Sequence, residues 1–209
     1  MITERAASQK VFCVGFQKTG TTSLGRALEI LGHTVCGYQQ FRDLADAPSE
    51  YVAALVRERA LSLLTSYSAF KDTPWPVLYE ECDRGSPGSR FIHVVRDEDR
   101  WIQSVVDDFG LFDNSIHKWI YGYGHPKGNE AAYIDRYRQH NRAVSDYFCG
   151  KSRRYVLLNL DRGEVNWDSV CGFLDVDSPR APWPHLNSQA SKKRRKLVEH
   201  LKLKARALF

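Results

Sequence analysis

The chain has 209 residues, 43% hydrophobic and 26% charged, with 14 Gly and 8 Pro, which excludes fibrous and disordered classes and predicts one α/β-sized globular domain over 1–209 with its core at 10–190. The net charge of +5 is uneven: residues 189–209 hold eight Lys/Arg against Glu199, and the rest has 22 basic and 24 acidic side chains. A near-neutral body with a basic tail is not a general nucleic-acid-binding surface, and no nucleic-acid partner is expected.

In chain order, KVFCVGF (10–16) is a short apolar run suited to a buried parallel strand. From Thr21 the period changes: Leu24, Ala27, Leu28 and Leu31 recur at helical spacing, and Gly32 is placed to end the helix. Residues 33–38 read as a second strand, 49–65 as a helix, 68–70 as a short strand and 75–83 as a helix closed by the RGSPGS turn. Arg90–Val95 is the next strand, and 98–109 a helix with acids in its first turn and Trp101 among its core residues. Residues 110–128 are rich in Gly, aromatics and His without a period, and are expected to form a loop or lid on the acceptor side. A long helix over 129–149, a strand over 154–160, a helix over 166–174 and a basic helix over 189–209 complete the chain. Strands alternating with helices predict an α/β domain with a mostly parallel central sheet flanked by helices.

No stretch approaches the roughly 20 apolar residues of a membrane span. The first ten residues are charged and lack a secretory apolar run. Five scattered cysteines without a CxxC pair favour a reduced, cytoplasmic chain and give no metal site.

The first strand–helix junction reads Gly15-Phe16-Gln17-Lys18-Thr19-Gly20-Thr21-Thr22-Ser23. N–H groups freed at a helix N-terminus, with the helix dipole behind them, bind anions, and Gly20 lets backbone approach a phosphate closely. The spacing of Gly15 and Gly20 matches the nucleoside-triphosphate loop GxxxxGK[ST], but Thr21 stands where its lysine would be, and the only lysine is Lys18, inside the loop. That displacement argues against ordinary ATP or GTP hydrolysis.

From Lys18 onward the loop resembles the donor loop of the nucleotide-dependent sulfotransferases, approximately Pro-Lys-Ser/Thr-Gly-Thr-Thr; it differs at Gln17, where many members have Pro. Arg96, ending a strand, and Ser104, eight residues on in the next helix, stand at the spacing with which that family binds a 3′-phosphate, and a guanidinium offers phosphate a forked, permanent charge. Segments 70–75, 137–148 and 173–187 also resemble compact, single-domain bacterial members. The resemblance implies 3′-phosphoadenosine 5′-phosphosulfate as donor, without a metal. It places Gln17, Lys18, Thr19, Gly20, Thr21, Thr22, Ser23, Arg96 and Ser104 at the donor. Lys18 stabilises the bridging oxygen, and the acceptor bears a hydroxyl on a carbohydrate, lipid or small metabolite.

In animal cytosolic members a histidine follows Lys-Thr at the end of a central strand. Here the stretch is Lys71-Asp72-Thr73, so Asp72 is the candidate base with Lys71 assisting; a helix N-cap before Pro74 is the alternative role. His33, His117 and His125 are secondary candidates for the base, and His185, Asn187 and Ser188 are expected by family analogy to close over the nucleotide. A phosphate-loop kinase acting on a small molecule or nucleotide, and a noncatalytic nucleotide- or RNA-binding module, remain as the alternatives.

Overall fold

A computed structural model of the protein describes residues 9–186. It contains β1 (Val11–Cys13), α1 (Thr21–Ile30), β2 (Val35–Cys36), a 3-10 segment (Tyr38–Asp46), α2 (Val52–Leu63), β3 (Ala69–Phe70) and a second 3-10 segment (Trp75–Leu78). Then come α3 (Tyr79–Gly85), β4 (Arg90–Val95), α4 (Glu98–Phe109), α5 (Ser115–Tyr121), α6 (Glu130–Tyr147), β5 (Tyr155–Asn159) and α7 (Trp167–Leu174). The five strands form one sheet in the order β2-β3-β1-β4-β5, and every pairing is parallel. The expected α/β architecture with a parallel central sheet is what the structure shows.

Alternation along the strands divides the core. Phe12, Val14, Phe70 and Phe91 face a cluster completed by Val52 and Val56 of α2, Trp101 and Val105 of α4, and Tyr133, Tyr137 and Val144 of α6. Val11, Cys13, Ala69, Ile92 and Val94 face the other way, onto Leu24 and Leu28 of α1 and Val170 and Leu174 of α7. Both faces are covered, which is why these strands read as unbroken apolar runs rather than alternating ones. Phe12 is fully buried and stacks on Phe70 and Phe91 at 4.6 and 5.3 Å. Its truncation to Ala should cost about 3–5 kcal/mol. Trp101 packs in the core as expected, stacked on Tyr137 at 4.2 Å.

Two expectations change. Residues 110–128 are not an aperiodic loop: they contain α5, with Asn114 as its N-cap, accepting from the N–H groups of Ile116 and His117. Ile116, His117, Ile120 and Tyr121 are buried, a helical i, i+1, i+4, i+5 stripe that glycines at 110, 122, 124 and 128 disguise in the sequence. Residues 75–83 are not one helix but a 3-10 turn followed by α3. Asn187, Ser188 and the basic helix expected over 189–209 lie outside the described residues. Among the described residues no helix is long and apolar enough to cross a membrane.

Candidate active site

The carboxyl ends of four parallel strands converge, as ligand sites of open α/β sheets do. β1 runs into the loop of residues 15–20, β3 into Lys71-Asp72-Thr73, β4 into Arg96, and β5 into Leu160-Asp161. They open on a cleft of about 1010 Å³ lined by Lys18, Gly20, Thr22, Asp72, Arg96 and Ser104 among others. Of the residues assigned to the site from sequence, Gln17, Lys18, Gly20, Thr21, Thr22, Ser23, Asp72, Arg96 and Ser104 all line it. Thr19 and Lys71 do not.

Sterics fix the loop. A Cβ on Gly15 would lie 2.2 Å from the Val94 carbonyl oxygen, so only glycine lets the end of β1 pass β4. Gly20 is the N-cap of α1 with φ 91°, a left-handed conformation that glycine adopts without penalty. It carries no side-chain cap, so the leading N–H groups of α1, which lack intrahelical acceptors, are presented at the cleft. Thr19 turns inward: it is fully buried and its hydroxyl donates to the Phe16 carbonyl at 2.7 Å. The Ser23 hydroxyl meets the chain again at Leu186, accepting from its N–H at 3.0 Å. His185 and Trp183 of the same segment also line the cleft.

Lys18 pairs with Asp108 of α4. Its φ of 69° is left-handed, unusual outside glycine and costly unless the surroundings enforce it. Asp72 shares that conformation at φ 68°. Its Oδ1 accepts from the Thr73 N–H at 3.0 Å, and its Oδ2 lies 3.9 Å from Lys71 Nζ. Asp72 does not cap the following helical turn, whose N-cap is Pro74 without a side-chain bond. Lys71 runs beside α1, where a Cβ on Gly25 would lie 2.6 Å from its Cδ. A glycine inside an amphipathic helix is the sequence signal for such a close approach.

Arg96 does not pair with Asp97 or Asp99. Asp97 caps α4, accepting from the Arg100 N–H at 3.1 Å. Arg96 reaches the Lys18 carbonyl with NH1 at 3.4 Å and stands 3.8 Å from Asp161. The atom that faces Asp161 is the buried Nε, which makes no hydrogen bond among the described residues. Burial would raise the Asp161 carboxyl, but the Asp97 N–H and the Arg100 and Arg96 guanidinium groups outweigh it and hold the carboxyl below its usual range.

Beyond Asp72 the wall is formed by Tyr38, Phe109 and His117. The Tyr38 hydroxyl accepts from Asn114 Nδ2 at 2.8 Å. His117 sits edge-on to Phe109 at 4.8 Å; burial lowers its pKa to about 4, and its Nδ1 is unpartnered among the described residues. Of the other histidines considered from sequence, His33 contacts Ser68 and His125 the Lys127 carbonyl, and neither lines the cleft. Tyr38, Asp108, Asp161 and Trp183 were not legible as site residues, because tertiary packing alone brings them there.

A family model described as a sulfotransferase domain matches residues 10–123 and 107–192. No curated protein matches the chain. A solved sulfotransferase from Alicyclobacillus acidocaldarius is similar over 91% of this chain and 90% of its own, with 14% identity and a TM-score of 0.48.

Proposed function

The chain belongs to the sulfotransferase family and is a transferase, and on that premise we propose that it moves a sulfuryl group from 3′-phosphoadenosine 5′-phosphosulfate to a hydroxyl acceptor. The acceptor is a carbohydrate, a lipid or a small metabolite, and the displacement at sulfur is in line. The observation that carries the donor assignment is Arg96, whose Nε makes no hydrogen bond among the described residues and has the Asp161 carboxylate only at 3.8 Å, beside the start of α1 with no side-chain cap. A guanidinium whose neighbouring carboxylate stands beyond hydrogen-bond distance keeps donors for a second phosphate while the first rests on the helix. An acidic or neutral ligand with one anionic end leaves one of these two grips unused.

The bound donor supplies an activated sulfuryl group. The N–H groups at the start of α1 and the Thr22 hydroxyl hold its 5′-phosphosulfate end; Arg96 and Ser104 take the 3′-phosphate. As the bridging S–O bond breaks, Lys18 neutralises the charge left on the phosphate oxygen. Asp72 accepts the acceptor's hydroxyl proton as the new O–S bond forms, with the Lys71 ammonium 3.9 Å from its carboxylate. Tyr38, Phe109 and His117 shape the space the acceptor enters.

Calorimetry with adenosine 3′,5′-bisphosphate and with ATP·Mg tests the donor assignment. Tight binding of the bisphosphate with weak or no binding of ATP·Mg is expected. A preference for ATP·Mg would sink it in favour of a phosphate-loop kinase.

A further inference from the structure

Gln17 is the residue immediately before Lys18; it lies at the cleft wall with its side chain buried, 4% exposed. Both ends of its carboxamide are engaged: Oε1 accepts from Thr73 Oγ1 at 3.0 Å, and Nε2 donates to the Tyr121 hydroxyl at 2.8 Å. Its carbonyl accepts from Trp101 Nε1 at 2.9 Å. One residue thereby touches the turn after β3, helix α5 and helix α4, the elements that carry Asp72, His117 and Ser104.

The placement of these bonds relative to the backbone gives them their meaning. Lys18 and Asp72 are both held at positive φ, a state non-glycine residues keep only where neighbours over-determine it. Gln17 precedes the first and Thr73 follows the second, so the Gln17–Thr73 bond clamps one strained turn against the other. Thr73 and Tyr121 are themselves buried, and in a dry site each lost partner leaves an unsatisfied group, so the three side chains act as a unit. A proline in this position would offer neither end of the clamp.

We propose that Gln17 is a positioning residue: with Thr73 and Tyr121 it sets the Lys18 turn against the Asp72 turn, fixing the leaving-group lysine relative to the base. The role rests on the sulfotransferase mechanism above. It goes beyond a donor contact, because both ends of the carboxamide are engaged by Thr73 and Tyr121.

The test compares turnover with donor binding in Gln17→Met, Thr73→Val, the double variant and Thr73→Ser. Turnover is read as release of adenosine 3′,5′-bisphosphate from the phosphosulfate, with 2-naphthol as probe acceptor and with water alone. Binding is read by calorimetry with the bisphosphate. Because an ångström of misplacement costs up to about 100-fold, Gln17→Met and Thr73→Val should each lower kcat by about 10–100-fold. Bisphosphate affinity should move by less than about three-fold, and the double variant should be no worse than the poorer single. Thr73→Ser should recover most of what Thr73→Val loses. Equal losses in affinity and kcat, additive losses, or an unchanged kcat would each overturn the role. Thermal melting checks folding; if Gln17→Met does not fold, Thr73→Val and Tyr121→Phe, which leave the loop sequence intact, decide by the same criteria. Wild-type protein that neither binds the bisphosphate nor releases it overturns the donor assignment itself, a result distinct from any pattern among the variants.

Discussion

The two halves of the cleft are built by different means. The half proposed to hold the donor comes from backbone at strand ends: a glycine that passes a neighbouring strand, a helix N-terminus and an arginine one residue beyond β4. The half proposed to receive the acceptor comes from side chains that packing brings together from distant stretches, Tyr38 from a 3-10 segment, Phe109 from α4 and His117 from α5. Backbone grips a phosphate wherever the local sequence allows the turn, so one ligand chemistry follows from a few adjacent residues. A wall of tertiary contacts can change its shape with little effect on the fold beneath it.

The largest effects expected fall between the halves, where the sulfuryl group is passed. Asp72→Asn should lower kcat by about 10²–10⁴-fold with little change in bisphosphate affinity, the range for a lost general base; full activity would leave the base elsewhere while the donor half stood. Lys18→Ala should lower kcat by about 10²–10³-fold, the range for a lost charge-stabilising donor, and a loss confined to donor affinity would move Lys18 from the reaction to binding.

Stability gives the next contrast. Burial lowers His93 and His117 to about 4 and His140 to about 3, so the folded chain keeps these rings neutral while the unfolded chain protonates near 6.5. Their contribution is present in full above pH 6.5 and is lost as pH falls from there toward 4, at about 1.4 kcal/mol per pH unit for each group. Melting temperatures taken from pH 7.5 to 4.5 should fall through that window. His93 bonds Tyr155 and Asn141, and His140 bonds the Val14 carbonyl, so both are ties of the fold. His117, whose Nδ1 has no hydrogen-bond partner among the described residues, is not such a tie, and His117→Phe should make the pH curve shallower without loss of stability at pH 7.5. The smallest effect separates the halves most cleanly: Tyr38→Phe and His117→Phe should leave bisphosphate affinity within about two-fold, as for sites without shared partners. A large loss would mean that the acceptor wall also holds the donor.

The same contrast explains how much the sequence discloses. β1, β4 and the loop between residues 15 and 23 are legible because apolar runs, glycines and hydroxyls there encode local geometry, whereas Arg96 and Ser104 are singled out only by the spacing that the family resemblance supplies. Thr19 shows the limit even there: its residue type suits a phosphate contact, but its hydroxyl closes the turn on Phe16. α5 is illegible as a helix because four glycines surround a seven-residue element whose stripe is half histidine and tyrosine. Asp108 and Asp161 carry no local signal at all, since each matters through a cation far away in the chain.

The central claim is that the donor half holds two phosphates, one on the α1 N-terminus and one on Arg96. Calorimetry with adenosine 3′,5′-bisphosphate and with 5′-AMP, on the wild type and on Arg96→Ala, tests it most directly. A charge-assisted grip of about 1.5–3 kcal/mol predicts that the wild type favours the bisphosphate by about 10–100-fold and that Arg96→Ala loses most of that preference, Ser104 keeping the rest. Equal affinities in the wild type, or a preference undiminished in Arg96→Ala, would contradict it.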